Sequence, residues 1–200
     1  MKNRLVRGIG NGLVLLSFLG FLYIFFPVFH AYFFPTSMPS VYEREFSIWI
    51  PKIRASGNII AQVDPWNKNE YIPALKKGIA HAKGFALPGE SGPIYLFAHS
   101  SSSPWELTRY NSIFLRLGEL EKGDSIVVWK QSKEYHYAVV DKKEVSPRQV
   151  NEVTQRKDDV LILQTCTPIG TDWKRLLIFA KESGNDVPLE TVDNSKNDKR

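Results

Sequence analysis

Residues 160–180, VLILQTCTPIGTDWKRLLIFA, decide the fold, because they contain the two most hydrophobic short segments after the N-terminal region. Val160–Thr165 and Arg175–Ala180 are predicted strands joined by a loop that contains Pro and Gly. If these strands pair as a hairpin, Cys166, which opens the loop, and Arg175 lie at the same end of a sheet. A guanidinium placed there could stabilise a thiolate, hold a substrate carbonyl or bind an oxyanion.

The rest of the chain after residue 47 also alternates short apolar segments with turns. Strands are predicted at Ile48–Arg54, Asn58–Val63, Ile94–Ala98, Ser125–Lys130 and Tyr135–Asp141, and short helical segments at Tyr71–Lys77 and within Asn111–Leu120. The first two strands flank Ala55-Ser56-Gly57, which predicts a hairpin. Many short strands, only short helices and no repeating strand–helix–strand unit predict a mainly all-β domain, either an antiparallel sheet or a closed barrel.

The N-terminal region is predicted to cross a membrane. Residues 13–34 carry no charge and would span about 33 Å as a helix, against about 30 Å of hydrocarbon. Lys2, Arg4 and Arg7 precede this segment, so the positive-inside rule predicts that residues 1–12 are cytoplasmic and the domain lies outside. A cleaved signal peptide is the rival interpretation, but its apolar core would be unusually long and no small-x-small cleavage site follows. We therefore expect a single-pass signal-anchor in the cell membrane, in contact with lipid.

Charge and composition divide the chain further. The formal net charge is +5, but three basic residues and no acidic one fall in residues 1–34, so the remainder is nearly balanced and nucleic acid is not an expected partner. We predict a linker at 35–47, a catalytic domain at 48–182 and a disordered polar tail at 183–200. A single cysteine excludes an intramolecular disulfide and a Cys-rich metal site, and neither a metal nor a cofactor is predicted.

The single cysteine is also a candidate nucleophile. Cys166 lies where an apolar strand ends, whereas a structural cysteine is more often found inside the strand. A thiol nucleophile needs a proton acceptor, usually histidine. His30 is assigned to the membrane boundary, His136 to an alternating strand and His81 to loop scaffolding. His99 follows the strand Ile94–Ala98, in the same kind of position as Cys166, so a Cys–His pair is possible.

Several segments resemble the sortase family. LILQTC, the TPIG after it and the Arg-Leu-Leu strand nine residues beyond the cysteine resemble the active-site signature of sortases. GIAHAKGFALPGESGPIYLFAHSS resembles their Gly-x-x-His, Pro-Gly and strand–His block, and IWIPKIR resembles their first core strand. FLRLGELEKGDSIVV and YHYAVVDKKEVSP are similar to the segments that follow. The resemblance covers residues 48–181 in order.

The resemblance implies a closed sortase-type β-barrel and a cysteine transpeptidase. It assigns Cys166 as the nucleophile, His99 as the general acid/base and Arg175 as the stabiliser of oxyanion and substrate, with Thr165 and Ala98 in substrate binding. The implied substrates are secreted proteins with a C-terminal LPxTG-like sorting motif. The thiolate would attack the motif's Thr carbonyl, and an amine of the envelope or of a second protein would resolve the thioacyl enzyme, anchoring the substrate at the cell surface.

Some features depart from the pattern. Ala98 stands where the family usually has Gly, and Asp64-Pro65-Trp66 resembles the lid motif of pilin-polymerising sortases but is interpreted as a turn. The alternative function is a non-catalytic extracytoplasmic binding or scaffold domain that keeps the barrel. Two other enzyme classes do not fit: the Ser-x-Gly-Cys-x-Arg motif of L,D-transpeptidases and the Gly-x-Ser-x-Gly of serine hydrolases do not occur.

Overall fold

A computed structural model describes residues 2–33, 39–40, 44–100, 113–149, 151–168 and 171–184. The helices are α1 (Lys2–Phe33), α2 (Lys68–Leu75) and α3 (Asn151–Thr154), with a 3₁₀ turn at Leu117–Glu119. The strands are β1 (Phe46–Ile50), β2 (Ala55–Val63), β3 (Ile79–Ala82), β4 (Ile94–Phe97), β5 (Ser125–Lys130), β6 (Lys133–Val145), β7 (Leu161–Thr167) and β8 (Lys174–Glu182).

The eight strands form a closed barrel in the order β1-β2-β3-β4-β7-β8-β6-β5. The β2–β3 and β4–β7 pairs are parallel, and the other neighbours are antiparallel. The closed-barrel alternative of the sequence prediction is therefore confirmed. Each of the eight described strands therefore has a neighbour on both sides.

The first hairpin is present, but its predicted turn is wrong. The turn lies at residues 51–54, where the Arg54 N–H donates to the Pro51 carbonyl at 3.0 Å and Arg54 adopts a positive φ of 48°. Ala55, Ser56 and Gly57 instead begin β2 and pair with β1. Pro51 has no N–H to give to a ladder, so the first strand ends there. β1 begins at Phe46, inside the predicted linker.

The helix α2 begins three residues before its predicted start. Its N-cap is Asn67, whose side chain accepts the Asn69 N–H at 3.1 Å. Gly78 follows the helix, and a Cβ there would lie 2.3 Å from the Asn58 carbonyl oxygen. Glycine therefore lets β3 approach β2 closely. The strand β3 was not predicted, because four residues with a histidine among alanines give little β signal.

Two other boundaries differ from the predicted ones. β6 continues from Asp141 to Val145, because its exposed charged end pairs with β8 although it resembles a loop in sequence. β7 continues to Thr167, so that Cys166 belongs to the strand and not to the loop. The helical prediction before residue 113, most of the predicted linker and the tail from residue 185 onward lie outside the described residues.

Buried side chains form clusters on both faces of the barrel wall. The interior cluster contains, among others, Ile48, Ile50, Leu96, Phe114, Val128, Leu163 and Ile178. A second cluster lies on the outer face of β3, β4, β7 and β8. It includes Tyr95, Phe97, Ile162 and Leu177 from the strands, Ala74 and Leu75 from α2, and Val153 from α3. The two short helices cover only part of this outer face, which leaves room for a cleft.

The helix α1 lies apart from the core. Its window Val6–Tyr23 is long and apolar enough to cross a membrane, and none of that window is buried in the protein. An N-terminal apolar helix is therefore confirmed and fits a membrane-anchored protein. Its orientation and its retention after export remain predictions.

Candidate active site

The strand register brings three predicted site residues into one row. β4 and β7 are parallel, with Phe97 beside Gln164, so continuing this register by two residues brings His99 beside Cys166. β7 and β8 are antiparallel, and Cys166 pairs directly with Arg175. Neighbouring strands lie about 4.8 Å apart. The predicted placement of Cys166 and Arg175 at one end of the sheet is confirmed, and His99 follows the adjacent strand at that end.

The alternation of side chains puts this row on the outer face of the barrel. Leu163 points into the interior cluster, and Ile162 belongs to the outer cluster. Because strand residues alternate, Cys166 shares the face of Ile162. His99 and Arg175 have the same parity on their strands as Phe97 and Leu177, which are also in the outer cluster. The three side chains thus face the same cleft.

The cleft has a volume of about 380 Å³. Tyr95, Phe97 and His99 follow one another along its floor over about 13 Å, roughly four residues of extended chain. Its other lining residues come from the β2–α2 turn and α2 (Pro65, Trp66, Tyr71, Leu75), from the segment after β3 (Lys83, Phe85), from the β6–α3 region (Val145, Ser146, Pro147, Gln149, Val153, Thr154) and from β7–β8 (Gln164, Thr165, Cys166, Asp172, Arg175, Leu177). Such a groove can hold a short extended peptide on an apolar floor with few charges.

The electrostatics keep Cys166 protonated at rest. Burial raises the pKa of its thiol above the ordinary value, the positive charge of Arg175 acts in the opposite direction, and the carboxylate of Asp172 raises it further. The thiol is half-buried, so reagents can still reach it. A thiol with a raised pKa needs a proton acceptor before it can attack a carbonyl.

The loop between β7 and β8 holds the Arg175 guanidinium at the cleft. Its Nη1 donates to the Asp172 carbonyl oxygen at 3.0 Å and to the Lys174 carbonyl oxygen at 3.3 Å. The side chain is half-buried. A guanidinium has five N–H donors in a planar fork, so these two bonds leave donors for a substrate oxygen.

Thr165 and Ala98 join the two strand ends below this row. The buried Thr165 hydroxyl donates to the Ala98 carbonyl oxygen at 3.1 Å. Both residues line the cleft, but this bond also gives Thr165 a structural task, because it holds the end of β4 against β7. Their predicted part in substrate binding stays a prediction.

The other histidines described by side-chain contacts lie away from the cleft lining. His81 is fully buried; its Nε2 lies 3.0 Å from the Ala86 carbonyl oxygen, and its Nδ1 accepts the Gln62 N–H at 3.4 Å. His81 therefore has structural contacts, but the predicted loop position is wrong because it lies in β3. His136 Nε2 lies 3.3 Å from the Glu134 carboxylate on β6.

The Asp64-Pro65-Trp66 segment is a turn, as predicted. The Asp64 carboxylate accepts the Trp66 N–H at 2.9 Å, and the Glu70 carboxylate accepts the Asp64 N–H at 2.9 Å. The sequence did not indicate that Pro65 and Trp66 would line the cleft. The sequence analysis also did not identify Asp172 as a residue of the cleft. Its position in the predicted loop, three residues before Arg175, could have indicated this.

A family model described as the Sortase domain matches residues 48–183. The chain belongs to the sortase family. It is 33% identical over 136 residues to Sortase D of Bacillus subtilis (strain 168), an alignment that spans 66% of this chain and 60% of that protein.

Solved sortase structures share the fold. Sortase C-1 from Actinomyces oris superposes with a TM-score of 0.58 at 28% identity, over 72% of this chain and 73% of that one. The pilus-related Sortase C of Group B Streptococcus gives a TM-score of 0.59 at 27% identity, over 73% and 70% of the two chains. The chain therefore spans about three fifths of the length of the curated relative that it matches, and the single cysteine of the sequence, Cys166, lines the cleft.

Proposed function

We propose that this sortase cleaves an LPxTG-like motif near the C-terminus of secreted proteins and transfers the acyl group to an amine. Cys166 would attack the Thr carbonyl of the motif, His99 would take the thiol proton and return it to the leaving amine, and Arg175 would stabilise the oxyanion. The thioacyl enzyme would then react with an amine acceptor of the envelope or of a second protein. Cell-surface anchoring of the substrate would follow.

The observation that carries the proposal is that Cys166 and Arg175 pair directly across β7 and β8 and that His99, two residues after β4, lines the same cleft. A thiol, an imidazole and a guanidinium are the three groups that this chemistry needs: a nucleophile, a proton carrier and an oxyanion donor. They line a cleft of about 380 Å³ together with the aromatic side chains of Tyr95 and Phe97. Burial raises the pKa of the Cys166 thiol, which supports a mechanism in which a histidine accepts its proton.

The location follows from the N-terminal helix. An enzyme that acts on secreted proteins at the membrane would be tethered there by α1, with residues 1–12 in the cytoplasm and the barrel outside. The basic residues of the N-terminus favour this orientation.

The alternative is a non-catalytic binding or scaffold domain on the same barrel. Such a domain would have no need for a half-buried, accessible thiol beside a guanidinium, because a structural thiol is usually enclosed. Retention of Cys166, His99 and Arg175 in one row favours catalysis.

The test uses the full chain in detergent micelles with a library of peptides that carry LPxTG-like motifs, with and without triglycine. We expect one or more peptides to give a thioacyl adduct on Cys166 by mass spectrometry, and triglycine to convert it into a ligated product. Cys166→Ala should give neither adduct nor product. Full turnover by that variant would remove the proposed nucleophile, and wild-type protein that binds peptides without an adduct or cleavage would favour the scaffold alternative.

A further inference from the structure

Asp172 is a charged residue in the cleft to which the proposed mechanism gives no task. Its side chain is exposed and lines the same cleft as Cys166 and Arg175. Within the described residues its carboxylate makes no ion pair, whereas the carboxylates of Glu144 and Glu152 each pair with a lysine. A negative charge in a binding cleft without an internal partner is available to a ligand.

Hydrogen bonds of the loop hold the backbone at Asp172. The Asp172 carbonyl oxygen accepts a hydrogen bond from the Arg175 guanidinium at 3.0 Å. The preceding residue, Thr171, donates its N–H at 3.0 Å and its hydroxyl at 2.8 Å to the Pro168 carbonyl oxygen. Asp172 is thus held close to the thiol, close enough for its charge to raise the pKa of Cys166.

Its charge works against the first half of the reaction. A carboxylate near Cys166 disfavours the thiolate that must form before attack, so a site optimised only for acylation would do better without it. After acylation the sulfur is a neutral thioester, and the carboxylate no longer opposes a like charge. At that stage it can only attract a cation. The group that approaches then is the amine acceptor, which is mostly an ammonium at pH 7, since α-amino groups have pKa values of about 7.7–8.0 and lysine side chains of about 10.4.

We propose that Asp172 binds the ammonium form of the amine acceptor and so selects cationic acceptors over neutral ones and over water. This inference rests on the proposed transpeptidase function and names the chemistry of its second substrate. Asp172 acts as a specificity residue, and the bond-making groups remain Cys166 and His99.

In the transfer step the acceptor loses two protons. The bound ammonium releases one proton to solvent, and the neutral amine nitrogen attacks the thioester carbonyl. The new C–N bond forms as the C–S bond breaks, and the second amine proton passes through His99 to the departing sulfur of Cys166. Thioester and ammonium thus give amide, thiol and one proton, with no oxidant or reductant.

The first measurement needs no peptide substrate, because Cys166 is the only cysteine and iodoacetamide alkylation reports on it alone. Besides burial, the charged groups that act on the pKa of Cys166 are Arg175, which lowers it, and Asp172, which raises it, and the side chains of His99 and the buried Tyr95 line the same cleft. We expect Asp172→Asn to speed alkylation at pH 7 by about two- to fivefold, the range for a partly exposed charge pair. The matched control is Asp158→Asn, which removes the same charge from an exposed residue outside the cleft lining and should leave the rate unchanged.

Acceptor binding is tested with the same reagent. Triglycine amide, a cation, should accelerate alkylation of the wild type because a bound ammonium cancels the field of Asp172, and N-acetyltriglycine amide, its neutral counterpart, should not. Asp172→Asn should abolish the effect of the cation and Asp172→Glu should retain it. An equal response of the wild type and Asp172→Asn to triglycine amide would overturn the proposal.

The second measurement uses a peptide that acylates Cys166 and compares two nucleophiles. Asp172→Asn should raise the KM for triglycine amide by about fivefold or more, with little change for hydroxylamine, which is neutral at pH 7.5. An equal change for both nucleophiles would indicate a structural role and contradict selection of the cation. If no peptide acylates the wild type, the transpeptidase function fails, and the alkylation experiment still decides whether the cleft binds an ammonium at Asp172.

Discussion

The two faces of the wall formed by β4, β7 and β8 differ in role: the inner face packs in the core, and the outer face carries the candidate site. On the inner face Leu96, Leu163 and Ile178 are fully buried and belong to the apolar interior cluster. On the outer face the apolar surface continues only part of the way, and the row of Cys166 and Arg175 opens to a cleft. Because successive strand residues alternate in direction, one strand can hold the core with one residue and position a nucleophile with a later one.

The largest effect is expected on the rate of acylation, from a substitution on the outer face. Arg175→Lys keeps the positive charge but removes the planar fork that can hold both loop carbonyls and an oxyanion. We expect the rate of acyl-enzyme formation to fall by about 100-fold or more, the cost of losing one oxyanion donor. Stopped-flow mass spectrometry of the adduct measures the rate, and urea unfolding of the full chain in detergent should show nearly unchanged stability. A mild rate loss would mean that charge alone suffices at this position.

A substitution on the inner face should instead lower the stability of the fold. Leu163→Ala removes a fully buried side chain from the interior cluster and should lower the free energy of unfolding by about 2–5 kcal/mol. Cys166→Ala, three residues along the same strand, should lower it much less because that side chain is only half-buried. Equal losses of stability in the two variants would contradict the division between the faces.

A smaller effect is expected where the two faces meet. Thr165→Val removes the hydroxyl that bonds to the Ala98 carbonyl and should cost about 1 kcal/mol of stability. The end of β4 that carries His99 would be held less firmly, so we also expect a severalfold lower acylation rate. Thr165→Ser keeps the hydroxyl and should recover most of the rate. A variant with normal rates would assign the bond to stability alone.

The smallest effect is expected on the pH dependence of stability, from the buried His81 of β3. Burial lowers the pKa of His81 below its ordinary value, so the folded protein keeps the ring neutral where the unfolded chain already binds a proton. The stability it supports is complete above about pH 6.5 and decreases as the pH falls below that value, towards the lowered pKa. Thermal unfolding between pH 7.5 and 5 should show this loss, and His81→Gln should make the profile flatter. An unchanged slope would indicate that other groups dominate it.

The strands with strong apolar patterns were predicted correctly from the sequence. Prediction failed where pairing with a neighbouring strand, and not composition, determines that a segment is a strand. β5 was predicted at its observed boundaries, and the hydrophobic β7 and β8 nearly so. β3 and the charged end of β6 were missed because their pairing with neighbouring strands, not their composition, makes them strands. The turn of the first hairpin was misplaced because Gly57 seemed the better turn residue, whereas Pro51 ends the ladder.

The candidate site could be predicted in part for the same reasons. Cys166 and Arg175 face each other through a local hairpin, which the sequence shows directly. The parallel neighbour β4, and with it His99, comes from far along the chain, so its register depends on the assembled barrel. The cleft walls contributed by Trp66 and by the β6–α3 region depend on tertiary packing and had no local signal.

The pairing of strands that are distant in sequence also sets the order in which the site residues come together as the chain is made. Residues 67 positions apart meet in the Thr165–Ala98 bond, and β8 must pair with both β6 and β7 before the wall is complete. Because a chain emerges from its N-terminus and distant contacts form late, the thiol acquires its guanidinium only when the last strand has been made. A stalled or truncated chain that ends before β8 would therefore carry Cys166 without the guanidinium of Arg175 beside it.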